Sequence, residues 1–307
     1  MEMRISIIII VTLRPLAACV GMCLSAAGLA GCSGPGLRAD VVTTTSVVHD
    51  LTSRLVGNRM TVHLVLTPGG DPHEFEPTAR DLALIGRARV VVTSGGGLEP
   101  WFASARKAAS PRGLVVDASD GVALREVDGE ADPHIWQDPH NVMVMVANIT
   151  EGLRRADPAG FDTYTASERQ LVSDLTALDG ELSQRFALLT NRNLVTNHDA
   201  FGYLAARYEL VIVGSILPSF NTQAELSARD VTELVHRIRS AGVRTVFSES
   251  VIPDKTARVI AGDAGVGIVA GESSLFGDGL GPPGSGAADY FSMMRHNARV
   301  IIEGLAP

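Results

Sequence analysis

Two rounds of alternating strand and helix patterns, separated by a stretch with almost no strand signal, restrict the folds open to this chain. In the first round, β-branched residues crowd Val41–Val47 and predict a strand, and residues 49–57 predict a helix ended near Gly57. Strands follow at Thr61–Leu66 and Ala88–Thr93 around a helix over Thr78–Arg87. A helix over Glu99–Ala109, with Pro100 near its first turn, precedes a short strand at Leu114–Val116. The second round begins after Asn193. Strands are predicted at Leu194–Thr196, Leu210–Ser215, Thr245–Ser248 and Gly267–Ala270. Helices are predicted at Phe201–Tyr208, Gln223–Ala241, Lys255–Ala261 and Asp289–Leu305, with a Gly/Pro-dense loop over Gly277–Gly286. Strands that alternate with helices imply parallel sheets with helical crossovers, hence an α/β protein.

Between the two rounds, Ala166, Leu171, Leu175, Leu178, Leu182, Phe186 and Leu189 recur at helical steps. The pattern over residues 165–189 is too short to sustain a coiled coil and reads as one long helix connecting two lobes. The expected division is residues 41–140 for the first lobe, 141–190 for the connecting region and 191–307 for the second.

The amino terminus reads as an export signal. A basic flank and apolar stretches split by Arg14 lead to Leu29-Ala30-Gly31-Cys32, which resembles a bacterial lipobox with Cys32 as the lipidated first mature residue. Neither apolar half reaches the roughly 20 residues of a membrane-spanning helix, and Arg14 leaves open a start nearer residue 13. Residues 1–31 would be removed and 32–40 would tether the lobes. Cys19 and Cys23 leave with the signal, so the mature chain has neither a free thiol nor a disulfide, and its core alone must stabilise it. Loss of Glu2, Arg4 and Arg14 shifts the net charge from −8 to −9, a balance that disfavours nucleic acid as a partner.

Histidines carry the chemistry. Asp71-Pro72-His73 and Asp132-Pro133-His134 are paired triplets, His198 lies in Asn197-His198-Asp199, and Asp278 lies in a glycine-rich run. Three imidazoles and a carboxylate complete the coordination of a four-coordinate divalent metal. Their wide spacing points to a site assembled by tertiary structure. Asp199 and Glu249 are candidates to accept the other N–H of a ligating imidazole; Asp199 could equally cap a helix starting at Ala200. His49, His63, His236 and His296 read as surface or packing residues, while His140, six residues from His134, lies in a third Asp-Pro-His.

Further motifs accompany these residues: Glu76-Pro77-Thr78-Ala79-Arg80-Asp81, Gly97-Leu98-Glu99-Pro100-Trp101, Ile135-Trp136, Ala200-Phe201-Gly202-Tyr203, Phe247-Ser248-Glu249 and Tyr290-Phe291-Ser292-Met293-Met294. In order and spacing, over about residues 38–305, the chain resembles the metal-binding lipoproteins (solute-binding proteins, cluster A-I) of bacterial zinc and manganese ABC importers. The resemblance implies two lobes of parallel sheet and helix joined by a long helix, metal in the cleft between them, and ABC permease subunits as partners. It implies a monomer anchored by Cys32 outside the cytoplasm, and no enzymatic activity. The family pattern usually has a serine after the aspartate; Gly279 stands there. Only the resemblance leaves His140 out of the ligand set.

Within the resemblance, a glutamate in place of His198 accompanies manganese, and a His-rich acidic loop before the second histidine accompanies some zinc members. The loop from Asp117 to Ala131 has carboxylates but no histidine. The imidazole-rich set still favours Zn²⁺ over Mn²⁺. Two other classes stay open on sequence: a zinc hydrolase, if Asp278 leaves a position for water, and a cell-surface adhesin. Against a hydrolase, the chain has no His-Glu-x-x-His or Gly-x-Ser-x-Gly motif.

Overall fold

A computed structural model describes residues 39–127, 129–222 and 226–306, so the signal segment and Cys32 lie outside the described residues. The first round builds β1 (Val41–Thr43), α1 (Ser46–Val56), β2 (Val62–Leu64), α2 (Ala79–Arg87), β3 (Val90–Thr93), α3 (Phe102–Ala109) and β4 (Leu114–Asp117). The strands form a parallel sheet in the order β2-β1-β3-β4, with Val41 opposite both Val62 and Val90. Helices cover both faces of this sheet, so Val90, Val91 and Val92 are all fully buried and the strand is apolar without alternation.

β1 ends earlier than its composition predicts. The run Val-Val-Thr-Thr-Thr-Ser-Val leaves the sheet after Thr43, and Val47 and Val48 enter the core from α1 with Leu51 and Leu55. Thr44 and Thr45 turn their hydroxyls to Glu99 and Ser94 at the strand's carboxyl end. Those tertiary bonds outweigh the β-propensity of threonine, which is a weak and context-dependent preference.

A small antiparallel pair, β5 (Glu126–Val127) with β6 (Glu130–Ala131), occupies the loop before His134. Then come α4 (Pro139–Ala156) and the long α5 (Phe161–Ala187), which pack on one another. α4 accompanies the predicted long helix and has its own buried stripe, Val142, Met145, Val146, Ile149 and Leu153. Asp138 caps it by accepting the N–H of His140, and Pro139 occupies its first turn.

The second round gives β7 (Asn193–His198), α6 (Gly202–Tyr208), β8 (Val211–Leu217), α7 (Ala228–Ser240), β9 (Thr245–Phe247), α8 (Lys255–Ala264), β10 (Gly267–Val269) and α9 (Tyr290–Leu305). Its parallel sheet runs β10-β9-β7-β8, which repeats the topology of the first. A register shift between Leu194 and Val195 leaves Val213 of β8 as an extra residue in the ladder. One apolar cluster is continuous from Val41 and Val90 through Leu175, Leu178 and Leu182 of α5 to Leu194, Phe247 and α9. Burial of each such leucine contributes about 2 kcal/mol, so α5 is held on several sides: it packs against α1, α4, α6 and α9. Among the described residues, no helix is long and apolar enough to cross a membrane.

Candidate metal centre

Each parallel sheet points its carboxyl-terminal edge at the same place. His73 lies in the β2–α2 connection, His134 just before α4, His198 at the last position of β7 and Asp278 in the β10–α9 connection. Such edges gather ligands in α/β proteins because loops converge there.

The triplets explain their own geometry. In all three, the aspartate carboxylate accepts the backbone N–H of the histidine two residues on: Asp71 from His73 at 2.8 Å, Asp132 from His134 at 3.0 Å and Asp138 from His140 at 2.8 Å. Proline between them pre-sets the bend. The third triplet caps α4, which carries His140 to the helix surface. There it lies 3.1 Å from an Arg207 nitrogen and 3.4 Å from Asp179, away from the other histidines. His49 hydrogen-bonds Thr43, and His296 meets the Ser274 carbonyl.

His73, His134, His198 and Asp278 come together. One ligand atom from each lies within 4.8 Å of every other. Asp278 Oδ1 is 3.1 Å from His134 Nε2, 3.1 Å from His198 Nε2 and 3.6 Å from His73 Nε2. A tetrahedral zinc with bonds of about 2.0–2.1 Å separates its ligand atoms by about 3.3 Å, close to the three oxygen–nitrogen distances around Asp278 Oδ1. The side chains of His134, His198 and Asp278 are fully buried, and that of His73 is 5% exposed. His73 Nε2 and Asp278 Oδ2 have no hydrogen-bond partner although buried. Buried polar atoms are ordinarily paired, and two unpaired ones on neighbouring residues fit a site built to hold a cation.

The other side of each ring is also arranged. His134 Nδ1 is 2.9 Å from Asp132 Oδ1, and Asp132 Oδ2 meets Arg125 at 2.5 Å. Glu249 accepts the backbone N–H of His198 with Oε1 at 2.9 Å; its Oε2 lies 2.9 Å from His198 Nδ1, in a bent contact that falls short of a hydrogen bond. The carboxylate beside His134 is therefore Asp132. Asp199 gives its N–H to the Ser219 carbonyl, and no hydrogen bond joins its carboxylate to an imidazole among the described residues. Nor does it cap a helix, since α6 starts at Gly202 with Phe201 before it. The signal for Asp132 was in the triplet itself; what the sequence hid was that its carboxylate reaches the ring as well as the backbone.

Burial works against charge on His134, but Asp132 and Asp278 outweigh it and raise its pKa above the ordinary imidazole value. Burial likewise opposes the charged form of His198, yet Asp278 and Glu249 hold it well above that value. Asp278 resists the upward push of burial and is held well below the carboxylate range by His198, His134 and His73. The carboxylates around His134 and His198 thus favour positive charge at this position.

The Asp278 loop is fastened by side chains from distant elements. Asn297 on α9 accepts the Phe276 N–H and donates to its carbonyl, both at 2.9 Å. Trp136 and Gln137 donate to the Gly277 carbonyl. A Cβ on Gly277 would lie 2.1 Å from Glu249 Oε2, so the close approach requires glycine. Gly279 stands where a Cβ would come within 2.8 Å of Ser46 Oγ, and that hydroxyl accepts the Leu280 N–H at 2.8 Å.

A model of the zinc-uptake complex component A (ZnuA) family matches residues 41–304. The metal ABC transporter substrate-binding lipoprotein ScbA of Streptococcus cristatus is 28% identical over 305 residues, covering 92% of this chain and 96% of that one. The manganese-binding lipoprotein MntA of Halalkalibacterium halodurans is 30% identical over 277 residues, covering 89% and 90%. Among solved structures, the periplasmic zinc-binding protein TroA of Treponema pallidum superposes with a TM-score of 0.82 at 28% identity, over 88% of this chain and all of that one.

Proposed function

This chain belongs to the ZnuA family of periplasmic metal-binding components, and from that premise we propose that it captures Zn²⁺ outside the cytoplasm and delivers it to an ABC permease. At the coarser level the assignment is plain: the chain is the substrate-binding component of a metal ABC transporter, and its family is not one of enzymes. The ligands proposed are His73, His134, His198 and Asp278.

The observation that carries this reading is the convergence of three buried imidazole nitrogens on one carboxylate oxygen at 3.1, 3.1 and 3.6 Å. Four protein donors with no position reserved for water suit carriage, whereas catalytic zinc sites keep one open. Zinc is favoured over manganese because three nitrogen donors suit the later metal and zinc stands well above manganese in divalent affinity order. Relatives are named for either metal, MntA for manganese and TroA for zinc.

Ions enter as the hydrated cation, lose water to the four donors, and leave when the permease separates the two sheets' edges. The long, multiply packed α5 opposes a wide hinge, so release proceeds by small tilts and loop movement. A lipid on Cys32 would keep the chain beside its permease; Cys32→Ser should release it from the membrane with metal binding intact, and persistent membrane association would remove the anchor from the proposal.

Metal analysis of protein purified without chelators, with competition titrations for Zn²⁺ and Mn²⁺, tests the cargo. Alanine at His73, His134 or His198 should lower zinc affinity by orders of magnitude, and unchanged affinity in any one would remove that residue from the ligand set. A larger thermal shift with manganese than with zinc at equal free concentration, together with manganese starvation in a strain lacking the protein, would overturn the zinc assignment.

A further inference from the structure

Asp71 uses both carboxylate oxygens. Oδ1 accepts the N–H of His73 at 2.8 Å and shapes its turn, while Oδ2 accepts the hydroxyl of Thr222, 151 residues away, at 2.5 Å. His73 hangs from the first sheet, in the β2–α2 connection; Thr222 belongs to the second, in the β8–α7 connection. The same connection carries Phe220, which is 8% exposed and whose ring centre lies 6.2 Å from that of His134. The three triplets share one turn but differ in what the aspartate's second oxygen does. In Asp132 it meets Arg125, close by in the same connection; in Asp71 it crosses to the other sheet's loop.

His73 is also where the site is weakest: its side chain alone retains exposure, and its Nε2 stands farthest from Asp278. A metal leaves a four-ligand site by losing first the ligand that can move outward, and here that movement is tied to Thr222 through Asp71.

We propose that the Asp71–Thr222 hydrogen bond is a clasp between the two ligand-bearing edges that sets the rate at which bound metal escapes, with Thr222 acting as a positioning residue through Asp71 and not as a ligand. The proposal rests on the metal-carrier reading and deepens its release step. A hydroxyl bonded to a carboxylate is a charge-assisted interaction, strong enough that its loss should change a rate by on the order of 10-fold or more.

The test uses the full chain loaded with Zn²⁺, with dissociation followed by trapping in excess chelator. Thr222→Val removes the hydroxyl and keeps the branched shape; Thr222→Ser keeps the hydroxyl. Valine should speed zinc dissociation by roughly 10-fold, with the association rate unchanged and the metal-free melting temperature lowered by no more than about 4 °C, and serine should restore slow dissociation. Unchanged dissociation in Thr222→Val overturns the clasp. So does equal acceleration by valine and serine, which would assign the effect to loop packing, and so does a weaker affinity arising in the association rate alone. His73→Ala, measured alongside, separates the two levels: full zinc affinity in that variant would defeat the ligand assignment, whereas lost affinity there with unaltered dissociation in Thr222→Val would defeat the clasp alone.

Discussion

Replacing Glu249 by glutamine tests how the ligand set is tuned, and the geometry dictates the outcome. Glu249 is 1% exposed, and its Oε1 accepts the backbone N–H of His198 at 2.9 Å. In the glutamine variant that position must keep the amide oxygen, because an NH₂ group there would face a donor. The amide NH₂ then takes the place of Oε2, 2.9 Å from His198 Nδ1. A donor facing Nδ1 favours the tautomer protonated at Nε2, and Nε2 is the atom turned to Asp278 and the proposed metal position. The substitution therefore removes a negative charge behind the ring and also favours the wrong tautomer. Loss of such a supporting partner typically costs 10–100-fold in metal affinity, about 1.4–2.7 kcal/mol, and the tautomer adds to it. Zinc competition titration of Glu249→Gln should thus show affinity lowered at least roughly 10-fold. In a His198→Ala background the same change should have little further effect, since the ring it acts through is gone. Affinity within about 3-fold of the parent, or an equal loss in both backgrounds, would refute the reasoning.

Other outcomes follow from the same geometry. His134 and His198 are raised above the ordinary value of 6.5, and a proton on either ring blocks a metal ligand, so zinc affinity should keep rising with pH beyond about 6.5; titrations showing a plateau already below that pH would contradict it. In the metal-free protein the sign reverses: the raised values contribute stability fully present below about pH 6.5 and lost as pH rises through the folded values, which denaturant melts at several pH values will show. His140→Ala should leave zinc affinity unchanged, because the ring faces Arg207 and Asp179 instead of the other histidines; a measurable drop would bring it into the site. Leu178→Ala, at a fully buried position on α5, should lower unfolding free energy by about 2–5 kcal/mol while sparing the metal affinity of the protein that remains folded.

Much of this was written locally. The two rounds of alternation fixed a parallel α/β protein, because a strand buried on both faces has to be apolar along its length and a crossover helix has to carry an apolar stripe. The Asp-Pro-His triplets announced three turns that the structure contains, and residue type together with the family resemblance singled out His73, His134, His198 and Asp278, which the fold then gathered. What tertiary structure decided are the pairings across long separations. The β-branched run left the sheet after Thr43 because the hydroxyls of Thr44 and Thr45 found partners at Glu99 and Ser94, and α1 begins at Ser46. Asp132, rather than Asp199, came to lie against an imidazole, and one of three identical triplets was diverted to a helix cap. Asp278 met His134 and His198 across 144 and 80 residues, and Asp71 met Thr222 across 151. Local patterning records which backbone state and which face a residue prefers; the partner of a carboxylate depends on how the two sheets' edges are set against each other, and that is fixed only when the shared core along α5 closes.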